Sequence, residues 1–488
     1  MHLLEKRLGR IAVVGVLAAG VAPVEGGEWR DRIAFILSWR LRGEAVDYFR
    51  PPAGAMPEDA HRYAFLGSQL RAGVRVTLPH FQLVLEAQDT RLFDVPDDAS
   101  LPAPFGNLGP GATYFANTPE TNQGAVFFKQ GLLTFRRSGF AASAGRFEHS
   151  DGLETVPAEP SLAWLKRSRL AERLVGPFGY THVTRSFDGL RLAYDRARWN
   201  LTALATRPTH GGYEVEANPE FSDVDLAGVA LTAKPFLERF PIDLRAFYLY
   251  YEDGRPQPVK VDNRPLAVRQ LDKEAIRVHS IGGHAATVVR AGPGAIDALA
   301  WGLGQTGTWG RLDHSAWAFA FEAGYQLAGV GGAPWVRFGW NRSSGDDDPT
   351  DGTHRTFVQI IPTPRPYAQF PFYNLMNGDD RFIQLLLFRA TDRVSLRADF
   401  HWLRLTEAAD LWYAGGGATN ERIFGFSGVP ARGGRDLARV LDLGLTARLH
   451  AKITAYAYFG RAFGGDVVAR TFAGENASFG YLELTFRR

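Results

Sequence analysis

Arginine dominates the side chains in this sequence that could do chemistry. Of 55 basic residues, seven are lysine and the remaining 48 are arginine. A guanidinium is planar, permanently charged and shaped to hold a carboxylate or phosphate through two parallel hydrogen bonds. GC-rich codon usage also raises arginine content without any function, so placement decides between the two explanations. In segments that alternate apolar and polar residues, Arg40, Arg42, Arg71, Arg75, Arg146, Arg191, Arg245, Arg337, Arg393, Arg397 and Arg448 fall on the polar parity. Glu86, Glu148, Asp243, Asp399 and Asp442 share it. If those faces enclose a pore, its balance is positive. Such a pore attracts anions, and the interspersed carboxylates keep any single site from binding too tightly. The competing explanation is a charge ladder that only stabilises the wall.

Other chemistries find little support. Cysteine is absent, which excludes disulfides, thiolate zinc sites and cysteine nucleophiles. Gly302-Leu303-Gly304-Gln305-Thr306-Gly307 fits a dinucleotide-binding spacing, but Thr308-Trp309-Gly310-Arg311 does not open a helix after it. There is no H-E-x-x-H, G-x-S-x-G or Walker loop, and the histidines are scattered. Neither an enzyme nor a resident cofactor is expected. Asp346, Asp347, Asp348 and Asp351 are dense enough in oxygen to be weighed as a Ca²⁺ loop, with a solvated acidic loop as the plainer reading.

The positioning elements are strands. Ile33, Phe35, Leu37, Trp39 and Leu41 alternate with Arg32, Ala34, Ile36, Ser38, Arg40 and Arg42. Val394, Leu396, Ala398, Phe400 and Trp402 alternate with Arg393, Ser395, Arg397, Asp399 and His401. Strand side chains alternate between faces, so each strand has one apolar face. Helix-period segments that could cover those faces are nearly missing, and no apolar run reaches the length of a spanning helix. The mean hydropathy of −0.17 is also too low for a helical bundle. Lipid outside and a polar lumen inside satisfy the pattern. The fold class expected is an all-β transmembrane antiparallel barrel of about eighteen strands, of bacterial outer-membrane type.

The predicted strands run near 31–42, 64–78, 81–91, 124–136, 140–148, 184–195, 198–207, 222–234, 241–253, 275–290, 295–308, 314–326, 334–342, 380–390, 393–405, 436–449, 451–461 and 476–486. Short connections such as Arg137-Ser138-Gly139 alternate with long ones at 43–63, 92–123, 149–183, 254–274, 343–379 and 406–435. Short periplasmic turns and long extracellular loops have this character, and an even strand number leaves both termini in the periplasm. Ser161–Val175 reads as a helix capped by Ser161 and packed on the barrel mouth, with a ligand-facing helix as the alternative. Lys6, Arg7 and Arg10 followed by the apolar Ile11–Gly20 read as a secretory signal within residues 1–26, cleaved between 20 and 26. Residues 27–488 then form one barrel domain. Leu482, Leu484 and Phe486 alternate with Tyr481, Glu483 and Thr485, and an aromatic residue near the end is what barrel assembly machinery reads; here Arg487 and Arg488 follow it.

Two stretches carry a family resemblance. One is Gly145-Arg146-Phe147-Glu148-His149-Ser150-Asp151-Gly152. The other runs Arg169-Leu170-Ala171-Glu172-Arg173-Leu174-Val175-Gly176-Pro177-Phe178 and continues at Arg185-Ser186-Phe187-Asp188-Gly189-Leu190-Arg191-Leu192. Together they resemble the alginate-export family of outer-membrane barrels. The resemblance implies an eighteen-stranded monomer with an arginine-lined path for an acidic polysaccharide, and periplasmic secretion partners. It carries Arg146, Glu148, Asp188 with Gly189, and Arg191 over as motif residues. Asp188 shares parity with the outward Leu190. The family's exporter is gated partly by a long periplasmic loop, and no periplasmic turn read here is long enough for that.

An anion-selective channel for an acidic polysaccharide or its oligomers is therefore the leading expectation, with outer-membrane lipid and the anionic saccharide as partners and no nucleic acid. The alternatives are an uptake porin for small organic anions and a non-transporting structural barrel. Inward Ala316, Ala318, Ala320 and Gly324 argue for open space in the lumen and against the structural barrel.

Overall fold

A computed structural model describes residues 32–57, 59–235, 241–327, 329–363 and 369–488. The predicted secretory signal and its cleavage region lie outside the described residues. Eighteen antiparallel strands close into one barrel. They are β1 (Ile33–Asp47), β2 (Arg62–Thr77), β3 (Phe81–Phe93), β4 (Gln123–Arg137), β5 (Phe140–Phe147) and β6 (Phe187–Asp195), then β7 (Trp199–Pro208), β8 (Val224–Ala233), β9 (Ile242–Asp253), β10 (Ile276–Ala291), β11 (Gly294–Trp309) and β12 (Leu312–Gln326). The rest are β13 (Gly332–Ser343), β14 (Gly378–Thr391), β15 (Val394–Leu405), β16 (Asp436–His450), β17 (Ile453–Gly464) and β18 (Asn476–Arg487). Each strand pairs with its sequence neighbours, and β1 closes on β18 over Ser38–Asp47 against Ser478–Arg487. Closure leaves no sheet edge, which the bilayer interior requires.

The lipid-facing parity is as expected. Phe35 is 69% exposed and Leu482 64%, while Arg42, Glu44 and Val46 on the other parity of β1 are buried. Short connections sit at one end of the barrel. Ser138 (φ 51°) and Gly139 (φ 85°) make the β4–β5 turn with two left-handed residues, the geometry that suits a twisted hairpin. The long connections gather at the opposite end.

The lumen departs from expectation. The inner faces of β8 to β13 carry Phe247, Leu249, Val278, Leu299, Trp301 and Trp335, all buried. The loop 148–186 folds into the barrel and packs Leu162, Leu165, Leu170 and Leu174 against them, joined by Val358 and Ile361 of the loop 344–377. Ala316, Ala318 and Ala320 are buried at 6%, 3% and 0% exposure, so their small side chains make room for this insert and do not mark open space. Apolar burial is worth roughly 1.5–3 kcal/mol for a large aliphatic side chain, so half of the wall serves as a core.

The helix within that loop is short and lies inside the barrel, not on its mouth. It comprises α1 (Pro160–Leu165) and one π-turn at Lys166–Leu170, and Ala171 is extended. It stops five residues before the predicted Val175, where Ala171 turns extended and Glu172 after it takes a left-handed conformation (φ 62°). Glu159, not Ser161, caps it: its carboxylate accepts from the amides of Ser161 and Leu162 at 3.0 and 2.5 Å, with Pro160 at the first helical position. The Ser161 hydroxyl instead donates to Gln326 at 2.9 Å.

Candidate functional site in the barrel lumen

The loop insert is held to the wall of β9 to β14 by ion pairs. Glu322 of β12 accepts from Arg169 at 2.9 Å, Arg173 at 3.2 Å and Arg337 of β13 at 2.9 Å. Arg337 also donates to Asp297 of β11 at 3.0 Å, and the Trp335 indole donates to the same carboxylate at 2.6 Å. Lys166 donates to Asp243 of β9 at 2.8 Å, and His284 of β10 lies 2.8 Å from that carboxylate. Arg245 holds Asp151 at 2.5 Å and Glu154 at 2.7 Å, both on the insert. These groups are almost wholly buried, and buried charges persist only when paired and hydrogen-bonded.

The insert then crosses to the opposite wall. Arg40 of β1 donates to the carbonyls of Gly179, at 3.0 Å, and Thr181. Arg42 donates to Tyr180 O at 2.9 Å and pairs with Glu44 at 3.3 Å and Glu483 of β18 at 2.8 Å. Gln69 of β2 donates to His182 O at 2.7 Å. Next to them, Glu148 sits 3.1 Å from both Arg71 and Lys129, and Arg71 lies 3.8 Å from Glu86. A register shift in β4 opposite Glu86 and Ala87 accompanies the inward placement of Lys129, which is fully buried.

Of the arginines read as lumen-lining, Arg40, Arg71, Arg75, Arg191, Arg245, Arg337 and Arg397 do face inward. Most are already engaged. Arg397 grips Asp399 through Nε at 2.5 Å. Arg191 is half-buried over the Phe147 ring at 5.3 Å, and Arg75 is exposed; neither makes an ion pair among the described residues. Arg393 lies in the β14–β15 turn and Arg448 near the end of β16, where it donates to Asp392 O at 2.9 Å. Both are exposed at the short-turn rim, so neither lines the interior of the path.

Arg146 is a correction. It points to the outer face of β5, because β4 and β6 set its register opposite Gly131 and Asp188. There it holds Asp188 through two bonds, 2.7 and 2.5 Å, and donates to Asn218 O at 2.9 Å. The motif pair is thus structural. Gly145 (φ 117°) faces Gly189 (φ 156°) on the inner side of the adjacent rung, and a Cβ on Gly189 would lie 2.2 Å from Ala205 O. The carboxylates of the acidic loop are spread apart. Asp348 bonds Thr350 at 2.6 Å, Asp351 bonds Arg355 at 2.5 Å, Asp347 lies 3.9 Å from Arg355, and Asp346 turns inward beside Asp410. The four carboxylates do not converge on one ion.

Parity reading overlooked Glu44, Asp297, Glu322 and Glu483, all on inner faces, and so overstated the positive balance. Their alternation with apolar neighbours was visible in the sequence. The loop residues Lys166, Arg169 and Arg173 showed only as charges interleaved with Trp164, Leu165 and Leu170.

On the long-loop side of the insert is a cavity of about 330 Å³ lined by aromatic rings, among them Phe178, Tyr180, Tyr213, Phe372 and Trp412. The Arg42 guanidinium lies 4.8 Å from the Tyr180 ring, so the aromatic floor adjoins the cationic wall.

Solved structures share this fold. OccK11 (OpdR) of Pseudomonas aeruginosa matches with TM-score 0.53 and 11% identity over 95% of this chain and 98% of its own. OccAB2 of Acinetobacter baumannii gives 0.58 and 10% over 95% and 100%. OpdK of Pseudomonas aeruginosa, in its structure with vanillate, gives 0.54 and 9% over 93% and 98%. No curated protein sequence matches. The shared architecture is a closed antiparallel barrel, and its apolar outer band locates this chain in the bacterial outer membrane. A family model described as Alginate export matches residues 165–476, from the lumenal insert to the start of the last strand, and by that match the chain belongs to the alginate-export family.

Proposed function

We propose that this porin admits small organic anions, with a carboxylated ring as the favoured substrate class. The observation that carries the reading is the infolded insert with its ion pairs. A polysaccharide needs a long run of available cations, whereas Arg245, Arg337 and Arg397 are bound by the chain's own carboxylates. What remains is an aromatic cavity whose Tyr180 ring lies 4.8 Å from the Arg42 guanidinium, and its volume suits one small molecule. OpdK, which has the same fold, was solved with vanillate, itself a carboxylated aromatic ring. Export of an acidic polysaccharide has only the family match behind it, and an importer of small acids works without periplasmic secretion partners. Outer-membrane lipid and the assembly machinery are its proposed partners, and closure within one chain suits a monomer.

The test is single-channel recording in a salt gradient. The wild type is expected to prefer anions and to be blocked briefly by aromatic carboxylates. Arg191→Glu is expected to cut the anion-to-cation permeability ratio by about threefold or more, because a lumenal charge is inverted where screening is weak. Arg146→Glu, on the outer face, is expected to leave the ratio unchanged in those channels that assemble. Equal ratios in wild type and Arg191→Glu, or uronate oligomers permeating as fast as small acids, would reject the reading.

A further inference from the structure

We propose that Asp399, His401 and Asp442 form a binding site for a divalent transition-metal ion, with zinc as the reference ion, in the inner wall where β15 meets β16. Asp399 and His401 are two apart on one face of β15, and Asp442 is the register partner of Asp399 on β16. One ligand atom from each lies within 4.8 Å of the others, and among the described residues no other group of three metal-ligating side chains meets that condition. The residues are 1%, 0% and 2% exposed.

Two further observations point to an ion. The first is unspent bonding capacity. His401 Nε2 and Asp399 Oδ1 are buried without a hydrogen-bond partner. A buried unsatisfied polar atom is costly, so two in one cluster call for a ligand that satisfies both. The second is orientation of the imidazole. His401 Nδ1 lies 2.8 Å from Asp380 Oδ1. A carboxylate that accepts a hydrogen bond from Nδ1–H leaves Nε2 as a lone-pair donor, the arrangement that outer carboxylates impose on metal-bound histidines.

Charge leads the same way. Asp380, Asp399 and Asp442 bring three negative charges, against one guanidinium, Arg397, on Asp399 Oδ2. A divalent ion beside a neutral imidazole brings this buried cluster to neutrality. Asp442 is itself positioned by Tyr458 Oη, which donates to Oδ1 at 2.5 Å, and by the Gln369 amide, which donates to Oδ2 at 2.7 Å. One imidazole nitrogen and two carboxylates favour zinc or a neighbouring first-row ion over Ca²⁺ or Mg²⁺, which take oxygen almost exclusively.

The experiment uses the full mature barrel, refolded in detergent without a histidine tag, stripped with chelator and titrated with Zn²⁺ against a chromophoric competitor. One equivalent is expected to bind, and zinc-edge X-ray absorption of the wild type is expected to show a single imidazole at about 2.0–2.1 Å with oxygen neighbours. His401→Gln is expected to abolish stoichiometric binding, while His279→Gln, on the outer face of β10, is expected to retain it. Heat-modifiable gel migration reports whether each variant is folded. If His401→Gln does not fold, the wild-type absorption spectrum decides alone. No stoichiometric uptake by the wild type, no imidazole in its spectrum, or undiminished binding by folded His401→Gln would overturn the proposal.

Discussion

At the residue scale, the arginines divide by what they face and not by their number. Arg191 keeps its charge available, Arg146 spends it on Asp188 at the outer rim, and Arg169, Arg173 and Arg337 converge on one carboxylate. Glu322 is therefore the residue on which the insert depends most. Removing its charge leaves three buried guanidinium groups short of a partner, and breaking a buried ion pair costs on the order of 3–5 kcal/mol. Glu322→Gln is expected to lower the denaturant midpoint of the refolded barrel and to raise single-channel conductance as the insert loosens. An unchanged midpoint with unchanged conductance would mean that the insert is held by its apolar contacts alone. The arginine excess was legible in the sequence, but its neutralisation was not, because it depends on loop residues meeting strand residues some 150 positions away, as Arg169 meets Glu322.

At the element scale, the loops 344–377 and 406–435 meet through two buried carboxylates. Asp346 N donates to Asp410 Oδ2 at 3.0 Å, and Asp410 also accepts from Thr356 at 2.6 Å and Tyr413 at 2.7 Å. Burial, together with the neighbouring Asp410 charge, pushes Asp346 up to about 7, and burial pushes Asp410 up to about 6. The folded state thus binds protons that the unfolded chain releases near pH 4, so this junction is most stable below that pH and weakens as pH rises towards 7. Hydrogen-exchange protection in these two loops, taken relative to the intrinsic exchange rate at each pH, is expected to be higher at pH 5 than at pH 7.5. Asp410→Asn is expected to flatten that difference, and equal protection at both pH values in the wild type would contradict the assignment.

At the scale of the whole molecule, the barrel is a partition between two solvents. The outer parity of every strand meets lipid, and a charge there at mid-depth costs about 2–4 kcal/mol. Leu37 faces out on β1 and its neighbour Ser38 faces in, opposite Arg71. Leu37→Arg is expected to reduce the heat-modifiable, folded fraction in outer membranes strongly, whereas Ser38→Arg is expected to assemble close to the wild-type level. Equal losses would place β1 in the wrong register. The lumen is the second solvent, and the insert fills it with apolar packing and buried ion pairs on the β9–β13 wall and with polar contacts on the β1–β2 wall.

The sequence by itself determined the strands, their count and which parity meets lipid. Each depends on a period of two within a dozen residues, and lipid permits no other use of the apolar face. It also marked the family, through two stretches of which the second, with Asp188-Gly189, lies within the matched residues 165–476. Only the tertiary structure decided what fills the barrel. A face that alternates Leu299, Trp301 and Leu303 with lipid-facing residues is apolar on both sides, and nothing local says whether its inner side meets water or a loop. That depends on where the insert 148–186 folds, and its position is set by contacts with Asp243, Glu322 and Arg40, which lie far from it in the chain. The Asp399–His401–Asp442 cluster shows the same division: period two put the first pair on one face, and only the register of β15 against β16 brought Asp442 to meet them.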